Sequence, residues 1–295
     1  MLQFKDVELK DKETANSFLK QKNYFLCAYC FTDVFIWQNA YKTRIAFDDD
    51  FMYMKSGSGK NLYFTAPMGE GDYAAAVDKM AEIAHAEGVP LKIYALPAEI
   101  KEKIEAAYPG RFSYKEGRDG ADYIYSAESL MYLKGKKLHG KRNHINKFLS
   151  EYEGRWSYED LTEDNIREFF SYQLKWCENN PDNFLGETCA VSLALKNFKE
   201  LEIKGGLLRL DGAIIAVTLG SESFPDTFIV HIEKADATIP GAYQMINQQF
   251  AQHNFEKYRY IDREEDLGIE GLRKAKLSYY PESITENYIA EEIIK

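Results

Sequence analysis

Six bases (Lys134, Lys136, Lys137, Lys141, Arg142 and Lys147) stand with His139 and His144 inside YLKGKKLHGKRNHINKFL, residues 132–149. Between Leu130 and Ser150 there is no Asp or Glu, although the whole chain carries a formal charge of -10. A helix face built for solubility mixes its signs, so segregated charge predicts a local anionic ligand such as nucleotide phosphates, an RNA end or a lipid headgroup. It argues against general coating of nucleic acid, because the rest of the surface repels phosphate. The competing reading is a solvated helix face offsetting acidic neighbours.

A second stretch, YRYIDREEDLGIEGLRKAKLSYYP (258–281), ends a strand in DREED and then opens a basic helix at Gly268 and Gly271. Free amides at a helix N-terminus attract anions. Glu265, Asp266, Arg273 and Lys276 are therefore candidates for contact with a reacting group. Each also has an ordinary explanation: Asp266 as a cap, Glu270 against the helix dipole, Arg273 and Lys276 in solvent. No Ser-His-Asp or Cys-His arrangement follows from spacing, and none of the five histidines has Cys or carboxylate partners at metal-ligand spacing. Cys27-Ala-Tyr-Cys30 sits in an apolar run and reads as core packing rather than chemistry.

These residues need elements to hold them. Leu138, Ile145, Phe148 and Leu149 share one side of a helix, with Lys137, Lys141 and His144 on the adjacent stripe, while Gly135 and Gly140 weaken its start. The spacing predicts a helix from about Lys141 to Leu149, with Lys141 and Arg142 beside a groove. Two segments have the same layout. Residues 61–97 read as strand (Leu62–Ala66), helix (Tyr73–Ala86), Gly88 stop and strand (Leu91–Ala95). Residues 226–264 read as strand (Thr227–Glu233), helix (Ala242–His253) and strand (Tyr258–Asp262). A hairpin approaches each, the second turning at Asp211-Gly212. The pattern predicts a duplicated α/β fold with a mixed sheet in each half, 1–125 and 126–295.

At 295 residues the chain suits two ordinary domains. Its start lacks signal-peptide character and no apolar run spans a bilayer, so the expectation is a soluble, cytoplasmic protein with reduced cysteines.

Together, YLKGKKLHGKRNHINKF and DREEDLGIEGLRKAKLSYYP resemble the paired signatures of the family typified by the C-terminal domain of phosphatidylglycerol lysyltransferases. That family is similar to the Fem peptidoglycan aminoacyltransferases, with tandem N-acetyltransferase-like (GNAT) domains. The resemblance implies aminoacyl transfer from a charged tRNA, as co-substrate, to a small amine or hydroxyl acceptor that is a small molecule, a peptide or a lipid headgroup. No other cofactor and no metal is implied. The long membrane region of the lysyltransferases is missing, which puts a lipid acceptor in doubt. Under this resemblance Glu265 or Asp266 holds the aminoacyl ammonium or takes a proton, and Lys276 serves the oxyanion or the terminal phosphate. Lys137, Lys141, Arg142, Asn143, Gly268, Gly271 and Arg273 bind substrate.

Two rivals stand beside it. An acyl-CoA-dependent N-acyltransferase would seat the pyrophosphate of acetyl-CoA on a Gly-rich turn, [Arg/Gln]-x-x-Gly-x-[Gly/Ala], entering the main helix. This chain offers only ATIPGAYQ and MGEGDY there, the latter with opposing Glu70 and Asp72. The other rival is a binding module that keeps the fold without transfer.

Overall fold

The computed structural model describes residues 2–179 and 186–294. The chain divides into two units: Met1–Asp122 with Glu265–Gly268 and Thr285–Lys295, and Tyr123–Glu264 with Ile269–Ile284.

The first unit begins with helices α1 (Lys12–Leu19) and α2 (Phe31–Tyr41), followed by strands β1 (Arg44–Phe47), β2 (Phe51–Ser56), β3 (Tyr63–Thr65) and the short β4 (Met68–Gly69). Helix α3 (Tyr73–Ala86) then crosses to β5 (Lys92–Pro97), and α4 (Ala98–Ala107) leads to β6 (Phe112–Glu116). Helix α3 forms where predicted because Ala76, Val77, Met80, Ala81 and Ala84 recur at helical spacing and are all buried. Its first turn is closed by Asp72, whose carboxylate accepts from the amides of Ala74 (2.9 Å) and Ala75 (3.2 Å). Gly88, at φ +74°, ends the turn beyond its last residue.

The second unit holds β7 (Tyr123–Ser126), α5 (Ala127–Tyr132), α6 (His139–Glu151), β8 (Trp156–Asp160), α7 (Ile166–Asn179) and α8 (Gly186–Lys196). There follow β9 (Lys204–Leu210), β10 (Ala213–Phe224), β11 (Thr227–Ala235), α9 (Ala242–Asn254), β12 (Tyr260–Asp262), α10 (Glu270–Leu277) and β13 (Ser283–Ile284). Asp211 (φ +51°) and Gly212 (φ +81°) make the β9–β10 turn, both left-handed as a tight hairpin requires. Under α9, Phe228 packs against Phe250, Phe255 and Tyr258 with ring centroids 5.9, 5.3 and 5.2 Å away. Each such buried ring stabilises the unit by roughly 1.5–3 kcal/mol relative to exposure.

The duplication is explicit. In both units an antiparallel hairpin feeds a strand, a helix crosses over, and the next strand pairs parallel to the one before the helix: β3 with β5, and β11 with β12. The architecture is tandem GNAT-like. The last strand, β14 (Asn287–Glu292), lies between β5 and β6, so the first sheet runs β1-β2-β3-β5-β14-β6 with β4 beside β2. In the second sheet β7 takes the corresponding place, and the order is β13-β7-β12-β11-β10-β9-β8. In sequence β7 follows β6 of the first sheet, and β14 follows β13 of the second.

Candidate functional site

In the second unit the basic stretch forms α6, starting two residues earlier than predicted. Leu138, Ile145 and Phe148 enter the core. Leu149, expected beside them, is 37% exposed, because one residue beyond Phe148 the helix has turned through 100° onto its flank. Lys136, Lys137 and Lys147 are exposed and form no ion pair among the described residues. Arg142 differs: its guanidinium donates to the carbonyls of Leu133 and Gly135 and ties the preceding loop to the helix. It braces that loop through Nη1. Asn143 is exposed and bonded to His139 at 3.2 Å.

Lys141 is partly buried. Its ammonium donates to Ser278 Oγ (2.6 Å) and lies 3.9 Å from the centre of the Tyr279 ring. Burial first, then the nearby Arg263, lowers its pKa to about 8, against the opposing pull of Glu233. Arg263 shares the same ring at 4.8 Å and donates to Glu233 Oε1 at 2.8 Å, while Asn247 donates to the other oxygen at 2.9 Å. The Arg263 Nη1 and Asn247 Oδ1 atoms are buried with no hydrogen-bond partner among the described residues. Arg263, Glu233 and Asn247 were missed from sequence. Their one signal is charged or amide residues at otherwise apolar strand and helix positions.

The second predicted stretch is divided. Arg273 and Lys276 belong with the second unit, Glu265 and Asp266 with the first. Helix α10 opens at Glu270 rather than Gly268, because Leu267 (φ +52°) and Gly268 (φ +74°) are left-handed and cannot continue into it. A Cβ at Gly268 would also lie 3.2 Å from the Asp119 carboxylate, whereas Gly271 faces open space. Asp266 caps no helix. It is buried, accepts from the Gly268 amide (2.9 Å) and from Arg118 Nη1 (3.0 Å), and holds the loop. Lys276 is 7% exposed, with its ammonium donating to the carbonyls of Arg263 (2.5 Å) and Glu264 (2.9 Å). Arg273 is half-buried on α10.

One constellation escaped spacing arguments altogether. His231 Nδ1 lies 2.8 Å from Glu264 Oε1 and its Nε2 2.9 Å from Ser221 Oγ. Burial drives the imidazole pKa down to about 3, so the ring is neutral. A neutral ring that donates to Glu264 accepts from the serine hydroxyl. The order is that of a nucleophilic triad, but Ser221 is 1% exposed, so the relay serves as an internal brace.

The first unit contains a cavity of about 530 Å³ between α2 and its sheet. Trp37, Tyr41, Tyr63 and Tyr94 line it, the last two with ring centroids 4.8 Å apart. Cys27, Asp33, Asp122 and Glu265 gather at one side. The Cys27 thiol is 3.2 Å from Glu265 and 3.6 Å from Asp122, and the Cys27 amide donates to Asp122 at 2.5 Å. Burial first, then the charges of Glu265, Asp33, Tyr63 and Cys27, push the Tyr41 phenol pKa upward. Cys30 is core, as expected; Cys27 is not.

Residues 21–291 match the family described as phosphatidylglycerol lysyltransferase, C-terminal. A crystal structure of a conserved protein of unknown function from Bacteroides thetaiotaomicron is 41% identical over 99% of this chain and 100% of that one, with a TM-score of 0.92. The C-terminal domain of a putative lysylphosphatidylglycerol synthetase from Agrobacterium fabrum superposes with a TM-score of 0.70 at 14% identity, covering 97% of this chain and 92% of that one. FemX does so at 0.60 and 11%, covering 99% and 97%. The last two show the fold alone. An uncharacterized protein of Mycoplasmoides gallisepticum is 29% identical over 180 residues, which is 58% of this chain and only 56% of that relative. Among the described residues no helix is long and apolar enough to cross a membrane.

Proposed function

This chain belongs to the phosphatidylglycerol lysyltransferase C-terminal family, and from that premise we propose that it transfers an aminoacyl group from charged tRNA to a small acceptor. The acceptor nitrogen or oxygen attacks the ester carbonyl, the bond to the ribose oxygen breaks, and the acceptor's proton ends on that oxygen. An ester is already activated, so the protein must position the reactants and stabilise the oxyanion. Glu265, beside the cavity, is the candidate to accept the proton. Asp266 and Lys276 act as positioning residues, since both spend their charges on the loop between β12 and α10. The exposed Lys136, Lys137 and Lys147, with Lys141, supply the surface for tRNA phosphates.

The observation that carries this reading over acyl-CoA chemistry is the state of the two crossover helices. The N-terminal amides of α3 are capped by the Asp72 carboxylate, which would repel a pyrophosphate. At α9, a Cβ on Gly241 would stand 2.8 Å from the His144 carbonyl oxygen and 3.0 Å from Phe148 Cβ, so α6 covers that approach. Neither helix offers the open, anion-seeking end that a CoA pyrophosphate needs.

Titration with a bulk aminoacyl-tRNA pool and with acetyl-CoA tests the proposal. Aminoacyl-tRNA should bind with strong salt dependence, and Lys141→Gln should flatten the log–log slope by about 0.7–0.9. Acetyl-CoA should not bind. Acetyl-CoA binding without tRNA binding would overturn the reading.

A further inference from the structure

The cavity of the first unit has a chemical character of its own, and we propose that it binds the acceptor as an organic cation, a primary amine with an apolar body. This rests on the transfer reading only for the word acceptor. The binding itself rests on the cavity. At about 530 Å³ it has the size of a small-molecule site, within the usual range for ligand clefts. Its walls are aromatic. Trp37, Tyr41, Tyr63 and Tyr94 present rings, and ring faces attract ammonium groups.

The charge of the lining points the same way. Asp33, Glu116, Asp119, Asp122 and Glu265 face Lys115 and Arg118, and Arg118 is already bonded to the buried Asp266. An anionic ligand would meet an excess of carboxylates; a cationic one is favoured by them and by the rings. A further feature is independent of charge. The Thr65 hydroxyl oxygen is buried in the cavity wall and has no hydrogen-bond partner among the described residues. A polar atom so placed is satisfied when a ligand or water fills the space. The apolar side of the cavity, formed by Val34, Met54 and Ile289, suits a hydrocarbon body rather than a second charge.

The geometry also fits the chemistry of transfer. A bound ammonium must lose a proton before its nitrogen can attack an ester, and Glu265 is a lining carboxylate that the Cys27 thiol approaches at 3.2 Å as a weak donor. Accepting the proton converts the ammonium into the nucleophile without any outside reagent.

Calorimetric titration of the protein with pentylamine and tyramine, in the absence of tRNA, tests binding directly. Their N-acetyl derivatives and alaninamide serve as comparisons. The amines should bind with Kd below about 1 mM, and the neutral N-acetyl forms should bind at least tenfold more weakly. Tyr94→Ala, at a residue 37% exposed, and the isosteric Glu265→Gln should each weaken amine binding several-fold, with unchanged melting curves confirming the fold. Equal affinity for amines and N-acetyl forms, no amine binding, or unaltered binding by both variants would overturn the proposal. Binding of alaninamide alone would move the site to the aminoacyl donor and overturn the assignment to the acceptor. Loss of amine binding with tRNA titration intact removes this inference and leaves the transfer reading; the converse result does the reverse.

Discussion

Lysine 276 and arginine 142 show how little a basic residue's place in a sequence pattern says about where its protons go. Both stand in charged, helical contexts that suggest ligand contact, and both direct their donors to backbone carbonyls of their own unit. Lys141, one residue before Arg142, keeps a cation at the helix edge at the cost of a pKa lowered to about 8. At His231 the same desolvation has a consequence for stability. Its folded pKa is about 3 and the unfolded value about 6.5, so between these the unfolded chain takes up a proton that the folded one refuses. Stability from this group is complete above pH 6.5 and falls as the pH drops toward 3, by about 1.4 kcal/mol per unit. Chemical denaturation of wild type and His231→Asn at pH 7 and pH 5 checks this. Wild type should lose about 2 kcal/mol more than the variant, and an equal loss would show that His231 takes no part.

At the scale of elements, the two crossover helices share a position in their units and differ at their N-termini. Helix α3 is capped by a side chain; α9 begins at the left-handed Gly241 with no side-chain cap and lies under α6. Asp72→Ala should therefore lower stability by about 0.5–2 kcal/mol, seen as a lower melting temperature, without opening a CoA site that binds acetyl-CoA. Gly241→Ala is a different matter, since both the backbone angle of +91° and the His144 carbonyl oppose a methyl group. Helix α6 illustrates how much an amphipathic pattern predicts: the core positions Ile145 and Phe148 followed from spacing, while Leu149 fell one step outside the buried stripe.

At the scale of the molecule, connectivity carries the unexpected result. β14 pairs antiparallel with both β5 and β6, and without it those two strands have no partner on the facing edges. A chain ending at Ile284 should leave two open edges in the first sheet, which invite association with other chains. Size-exclusion chromatography should show aggregation or loss of a monodisperse peak, and circular dichroism a weakened, less cooperative melt. A truncated protein that remained monodisperse with an unchanged melt would mean that β14 contributes little to the sheet.

What the sequence determined alone was whatever depends on neighbours a few residues apart. The strand–helix–strand units at 61–97 and 226–264, the Asp211-Gly212 turn, the glycine end of α3, and the buried stripe of α6 all follow from short-range periodicity and turn chemistry. So does the segregation of positive charge on α6. The placement of β7 and β14 has no such signal, because both are short and nothing in four or six residues names the strands they pair with. The cavity cluster is equally distant in sequence: Cys27 meets Asp122 across 95 positions and Glu265 across 238. Only long-range packing brings those groups together, and only packing decides which of a run of acids and bases faces a cavity and which is turned onto the backbone.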